Sequence, residues 1–173
     1  MKVLLVGGGG REHALAWKID QSPLLEELFI APGNAGTASV GTNLSIQDGD
    51  INGLSEYAMS NNIDLTIVGP EGPLAAGLVD KFGAVGLKAF GPNRRAAQLE
   101  WSKSFAKSFM KDNDIPTSDS LTVNTRDEAI RAADAFGLPV VLKADGLAAG
   151  KGVLILNTLE EAKEANLLLH VID

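Results

Sequence analysis

The 173-residue chain has 22 acidic and 15 basic residues, a net charge of −7, with 45% hydrophobic and 21% charged content. That length suits one good core, or one domain and part of another. The acidic balance argues against a broad nucleic-acid or acidic-membrane surface, though it leaves room for a local cationic pocket. Without cysteine, disulfides and thiolate metal sites are excluded. The N-terminus enters an apolar run with no charged leader, and no run approaches the roughly 20 apolar residues that cross a bilayer. The expectation is a cytoplasmic protein.

Val3–Val6 reads as a buried strand that breaks into four glycines, Gly7 to Gly10, followed by a helix over Arg11–Asp20. A strand over Leu28–Ala31 leads to a loop, Pro32–Gly41, and then a helix over Asp50–Asn61 with Ile51, Leu54, Tyr57 and Ala58 on one face. Leu65–Val68 is the next strand, ending in Gly69-Pro70-Glu71-Gly72-Pro73. A helix near Leu74–Val85 and a short strand, Lys88–Phe90, complete the series. Such alternation predicts an α/β fold: a Rossmann-like parallel sheet built from right-handed βαβ units. Ligands of such sheets sit beyond the carboxyl ends of the strands, where the loops from Gly7, Pro32 and Gly69 should converge.

After Pro92 the pattern changes, placing a domain boundary between about residues 92 and 103, with domains 1–100 and 101–173. Arg94–Asn113 predicts one long helix or two short ones, with Leu99, Phe105, Phe109 and Met110 as candidate core. Ser120–Val123 reads as a strand. Thr125–Phe136 reads as a helix opened by a Thr cap with Glu128 three residues on. Pro139–Ala144 is a strand that runs into Asp145–Gly152, and Val153–Leu156 returns as its hairpin partner. Another capping box opens a helix at Thr158. Asn166–Asp173 reads as the apolar end of a helix with nothing to pack on, an invitation to self-association or a partner chain.

The first glycine turn differs from a dinucleotide fingerprint: Glu12 stands where the third glycine of G-x-G-x-x-G belongs, and Ala31-Pro32 where an acidic ribose reader would be. An anion site beside Arg11, or a tight turn with Arg11 in solvent, are the readings left. Pro32-Gly-Asn-Ala-Gly-Thr37 permits left-handed and self-capped backbone. Glu71, on a glycine–proline loop, suits sugar hydroxyls, an amine or water. Gly146-Leu-Ala-Ala-Gly-Lys-Gly152 is one residue short of a Walker A loop and has Gly152 in place of the Ser/Thr that holds Mg²⁺. It lies between two strands, where backbone N–H groups and Lys151 can fold over a triphosphate. Lys143, near the end of an apolar strand, calls for an anion or a route to the surface. His13 and His170 suggest no metal pair. Trp17 and Trp101 read as packing residues.

Together these stretches resemble the glycinamide ribonucleotide synthetases (phosphoribosylamine–glycine ligases), ATP-grasp enzymes of purine biosynthesis. The matching pieces are Gly9-Gly-Arg-Glu-His-Ala-Leu15, Pro32–Thr37, Asp64–Glu71 with Pro73-Leu74, Phe90-Gly-Pro92, Ala97–Glu100, Ser102-Lys103 and Val141–Val153, in one order over residues 1 to about 165. The resemblance implies an N-terminal domain for the phosphoribosyl substrate, followed by an incomplete ATP-grasp domain. It places Gly9, Gly10, Arg11, Glu12, Pro32, Gly33, Asn34, Gly36, Thr37, Gly69, Pro70 and Glu71 at the phosphoribosylamine site. Lys103 and Lys143 would face ATP phosphates, and Ala148, Ala149, Gly150, Lys151, Gly152 and Val153 would close over them. The implied substrates are 5-phosphoribosylamine, glycine and ATP, with Mg²⁺. The metal ligands and adenine clamp are expected beyond Asp173, leaving this chain inactive alone and without catalytic residues of its own. The other readings are a non-catalytic phosphosugar-binding or scaffold module and a nicotinamide-dependent reductase, which Glu12 disfavours.

Overall fold

The computed structural model of the chain describes residues 1–147, 152–164 and, for the backbone, 170–172. These fall into two compact units, Met1–Ala97 and Gln98–Asp173.

The first unit holds a five-stranded parallel sheet in the order β3-β2-β1-β4-β5, with β1 Lys2–Gly7, β2 Glu27–Pro32, β3 Thr42–Asn43, β4 Leu65–Val68 and β5 Ala89–Phe90. Its central strand is apolar on both faces, as burial under helices requires. Val3 and Leu5 pack with Ala16, Leu28 and Ile30 beneath α1 (Gly10–Asp20). Leu4 and Val6 point the other way by strand alternation and are fully buried. α2 (Ile51–Ser60) is capped by Asp50, whose carboxylate accepts from Gly53 N–H at 2.9 Å.

Two expectations need correction in this unit. The helix foreseen over Leu74–Val85 is two helices, α3 (Glu71–Ala76) and α4 (Leu78–Ala84), because Gly77 between them is left-handed at φ +90°. Trp17 is not a packing residue: it is 58% exposed on the outer face of α1.

α5 (Arg94–Trp101), whose sequence runs across the unit boundary, and α6 (Lys103–Asp112) of the second unit are separate helices, divided at Ser102, which caps α6 by accepting from Phe105 N–H at 3.2 Å. Of the core foreseen here, Leu99 and Phe109 are exposed, and α6 buries no residue. Phe105 and Phe109 stack on each other instead, with ring centroids 6.4 Å apart. The sheet is antiparallel in the order β6-β9-β7-β8: β6 Leu121–Val123, β7 Val140–Ala144, β8 Val153–Leu156 and β9 His170–Ile172. α7 (Arg126–Phe136) and α8 (Leu159–Glu164) cover one face, where Ala129, Ala133, Leu142, Leu156 and Ala162 meet. The paired Thr/Glu caps form: Thr125 accepts from Glu128 N–H, and Thr158 from Glu161 N–H, both at 3.2 Å.

The reading of Asn166–Asp173 as a helix end is overturned for His170–Ile172. That backbone is an inner strand bonded to β6 on one side and β7 on the other. The expectation of self-association loses that part of its basis, and the rest of the stretch lies outside the described residues. No helix among the described residues is long and apolar enough to cross a membrane.

Candidate functional site

Three loops meet at the carboxyl edge of the parallel sheet, following β1, β2 and β4. Gly33 N–H donates to the Gly7 carbonyl at 3.2 Å, and Gly69 N–H donates to the Val6 carbonyl at 3.1 Å. The close approach demands glycine. A Cβ on Gly8 would stand 2.7 Å from the Gly33 carbonyl oxygen, and one on Gly33 (φ +71°) would collide with Asn43.

The twelve expected substrate residues divide by where their polar atoms go. Asn34 is consumed by the protein. Its Nδ2 donates to the carbonyls of Gly8 and Gly9 at 3.0 and 3.2 Å, and its Oδ1 accepts from Gly36 and Thr37 N–H at 2.7 and 3.0 Å. All four of its hydrogen-bonding valences are thereby used. Thr37 is fully buried: its hydroxyl accepts from Asn34 N–H at 2.7 Å, with its one proton between the Asn34 carbonyl and Asn43 Oδ1. Glu12 is 4% exposed and accepts from Gly9 N–H at 2.7 Å. These three side chains knit the loops together.

The groups turned outward are fewer. Gly9 and Gly10 are exposed at the N-terminus of α1, and with the Gly9 N–H taken by Glu12 it is the following N–H groups and the helix dipole that favour an anion. Arg11 is exposed and spends one N–H on the Gly69 carbonyl at 2.8 Å, leaving most of its guanidinium donors available. Half-buried Glu71 opens α3 directly after Gly69 and Pro70. Pro32 follows a cis peptide at the end of β2, and Gly36 lies against the His13 ring. Asn43, which went unnoticed in the sequence, and His13, weighed there only as half of a metal pair, belong to this loop assembly. Asn43 had no local signal, since it is joined to Asn34 only through tertiary structure.

In the second unit, the N-terminus of α6 is tied to the end of β7 by Asp145, which sequence reasoning also passed over. Its carboxylate accepts from the Ser104 hydroxyl at 2.5 Å, from Ser104 N–H at 3.2 Å and from the Ser102 hydroxyl at 3.3 Å. Burial works against its charge, but these bonds and the Lys103 N–H outweigh it and hold the carboxyl below its ordinary value of 3.8. Lys103 Nζ donates to the Gly146 carbonyl at 3.3 Å. Lys143 pairs in register with Val153 across the β7–β8 hairpin. Alternation puts both on the sheet face opposite α7 and α8, with Val141 and Ile155. Gly152 closes the hairpin through its carbonyl to Ala144 N–H at 2.6 Å. Ala148, Ala149, Gly150 and Lys151 lie outside the described residues.

Among the described residues no group of three His, Asp or Glu side chains is placed to hold a metal ion. A cavity of about 570 Å³ between Lys107, Pro116, Ser118 and Phe136 contains none of the expected residues. Lys107 there is engaged with Thr117 and Ser118.

Comparison with known proteins places these features in a family. The N domain of phosphoribosylglycinamide synthetase matches residues 1–100, and the ATP-grasp (A) domain of the same enzyme matches residues 101–170. The phosphoribosylamine–glycine ligase of Escherichia coli (strain K12) is 54% identical over 167 residues, which is 95% of this chain and 39% of the relative. The ligase of Neisseria meningitidis serogroup B is also 54% identical, over 168 residues with the same coverage. The crystal structure of the Thermotoga maritima ligase superposes with a TM-score of 0.78 at 32% identity, covering all of this chain and 43% of that one. N5-carboxyaminoimidazole ribonucleotide synthetase from the same organism shares the fold, with a TM-score of 0.77 at 19% identity. The chain thus spans well under half the length of the relatives it matches, and it belongs to the phosphoribosylglycinamide synthetase family.

Proposed function

We propose that the chain provides the phosphosugar cleft and part of the nucleotide site of an ATP-dependent ligase joining glycine to 5-phosphoribosylamine in purine biosynthesis. The observation that carries the reading is the meeting of three strand-end loops around Arg11 and Glu71, in a chain 54% identical to such ligases.

In this reading the phosphate of 5-phosphoribosylamine sits against the exposed N-terminus of α1 beside Arg11, and Glu71 faces the ribose or the amine. Gly9, Gly10, Pro32, Gly33, Gly36, Gly69 and Pro70 give backbone close approach, while Glu12, Asn34 and Thr37 serve by holding the loops. A carboxylate oxygen of free glycine attacks the γ-phosphorus of ATP, the bond to ADP breaks and glycyl phosphate forms. The amine nitrogen then attacks the glycyl carbonyl, phosphate leaves and a proton is lost, giving glycinamide ribonucleotide. The acyl phosphate must be shielded from water, which suits a loop that closes.

Lys103 and Lys143 would balance the transferring charge. The open sheet face carrying Lys143, Val153 and Ile155 offers an apolar wall with one cation, matched to a nucleotide. Residues 148–153 would close over the phosphates. Mg²⁺ accompanies ATP in such reactions, but the described residues do not fit a metal site. The proposed setting is the cytoplasm, and the chain alone is expected to bind without turnover.

Titration calorimetry with ribose 5-phosphate tests the cleft. Arg11→Ala should weaken binding at least tenfold, about 1.4 kcal/mol. Unchanged affinity would remove Arg11 from the site.

A further inference from the structure

Glu12 stands where the third glycine of a dinucleotide-binding turn would stand, and the structure gives its side chain an unusual amount of cleared space. Its carboxylate turns back into the glycine turn, accepts Gly9 N–H at 2.7 Å and is 4% exposed. Two other loop positions are shaped around it. A Cβ on Gly7 would lie 2.6 Å from Glu12 Cγ, and a Cβ on Gly69, in the loop after β4, would collide with Glu12 Oε1. An ordinary capping glutamate needs only the helix it caps. This one is enclosed by the ends of two strands.

The turn is therefore divided. Its inner half, at Gly7 and Gly9, already contains a carboxylate. Its outer half is open: nothing lies within 4 Å of where a Cβ on Gly10 would stand, and Arg11 projects beside it. A pyrophosphate requires the inner half, because it approaches the backbone at the second glycine of the turn, here Gly9, whose N–H is already bonded to the Glu12 carboxylate. Here it would meet occupied volume and a like charge in a poorly hydrated place.

We propose that Glu12 is a specificity-determining residue, a resident anion that closes the inner half of the glycine turn. It restricts the cleft to ligands that bring a single phosphate to the Gly10–Arg11 edge and excludes pyrophosphates and dinucleotides. The single-phosphate half of this statement rests on the phosphosugar reading given above. The exclusion does not.

The test is amide NMR of the whole chain, following Gly8, Gly9, Gly10 and Arg11 during titration with inorganic pyrophosphate. Wild type is compared with Glu12→Gln, which keeps the shape and removes the charge, and Glu12→Gly, which restores the third glycine. The expected result is that pyrophosphate shifts these amides at a concentration at least tenfold lower in the variants than in wild type. A gain in both variants assigns the exclusion to charge, and a gain in Glu12→Gly alone assigns it to volume. Equal titration in all three overturns the proposal and leaves Glu12 as a cap. If Glu12→Gly does not fold, Glu12→Ala, which also removes the volume, takes its place. Ribose 5-phosphate is titrated into wild type in parallel. Absence of shifts at Gly10 and Arg11 there would remove the phosphosugar reading while the pyrophosphate result still judged Glu12.

Discussion

In the parallel sheet of the first unit Leu4, Leu5 and Val6 are fully buried, whereas on one face of the antiparallel sheet of the second unit Val153 and Ile155 are 47% and 65% exposed. Both strands are short runs of Val, Ile and Leu, so composition does not explain the contrast. Connectivity does. Parallel neighbours need crossover connections, which bring helices to the faces of the sheet, while antiparallel neighbours such as β7 and β8 need only a turn. α7 and α8 sheathe one face of the second sheet and leave the other open. The two units therefore offer ligands different surfaces: the first at its strand ends, where loops and a helix N-terminus converge, the second on a sheet face.

Truncating the closed sheet should produce the largest effect. Leu4→Ala is expected to cost about 2–5 kcal/mol in urea unfolding, since a fully buried leucine leaves a cavity as well as lost burial. A cost below about 1 kcal/mol would mean that the sheet relaxes around the gap. Gly69→Ala comes next, at about 1–3 kcal/mol, because the new methyl must displace the enclosed Glu12 carboxylate. It should weaken ribose 5-phosphate binding as well, and a variant with wild-type stability and affinity would show that the loop after β4 is free to move.

Asp145→Ala removes the carboxylate that ties α6 to β7, with an expected loss of about 1–2 kcal/mol near neutral pH. Its charged form is the one stabilised in the folded chain, so this contribution is present above the ordinary value of 3.8 and is lost as pH falls below it through the lower folded value. Unfolding followed from pH 6 down to about pH 2 should show the wild type and variant converging at the acid end. Parallel curves would place the effect in packing and not in the charge. The smallest effect is expected for Ile155→Ala on the open face, within about 0.5 kcal/mol. A loss comparable to Leu4→Ala would mean that this face is covered.

Much of the first unit was legible from local signals. Apolar runs of four residues bounded by glycine and proline marked β1, β2 and β4, and the alternation with helical stretches set the parallel order. The break at Gly77 was missed because an apolar helical pattern continues on both sides of it, and only the left-handed backbone divides them. The strand His170–Ile172 was missed because its partners, Leu121–Val123 and Leu142–Ala144, are distant in sequence. Its apolar residues alone do not distinguish a strand from a helix end.

The sequence by itself determined where the chain turns, which residue types stand at each turn and, through several motifs in one order, the family. Those features depend on local backbone preference and on identity at fixed spacing. Tertiary structure alone decided which side chains at the glycine turn are available to a ligand. Arg11, Glu12 and Asn34 were all expected at the phosphoribosylamine site. Folding left Arg11 outside and turned Asn34 and Glu12 inward, because the crowded ends of β1, β2 and β4 carry backbone groups that need partners where water cannot reach them. The glycines that permit this close approach were visible from the start, but the carboxylate they make room for became apparent only with the three loops in place.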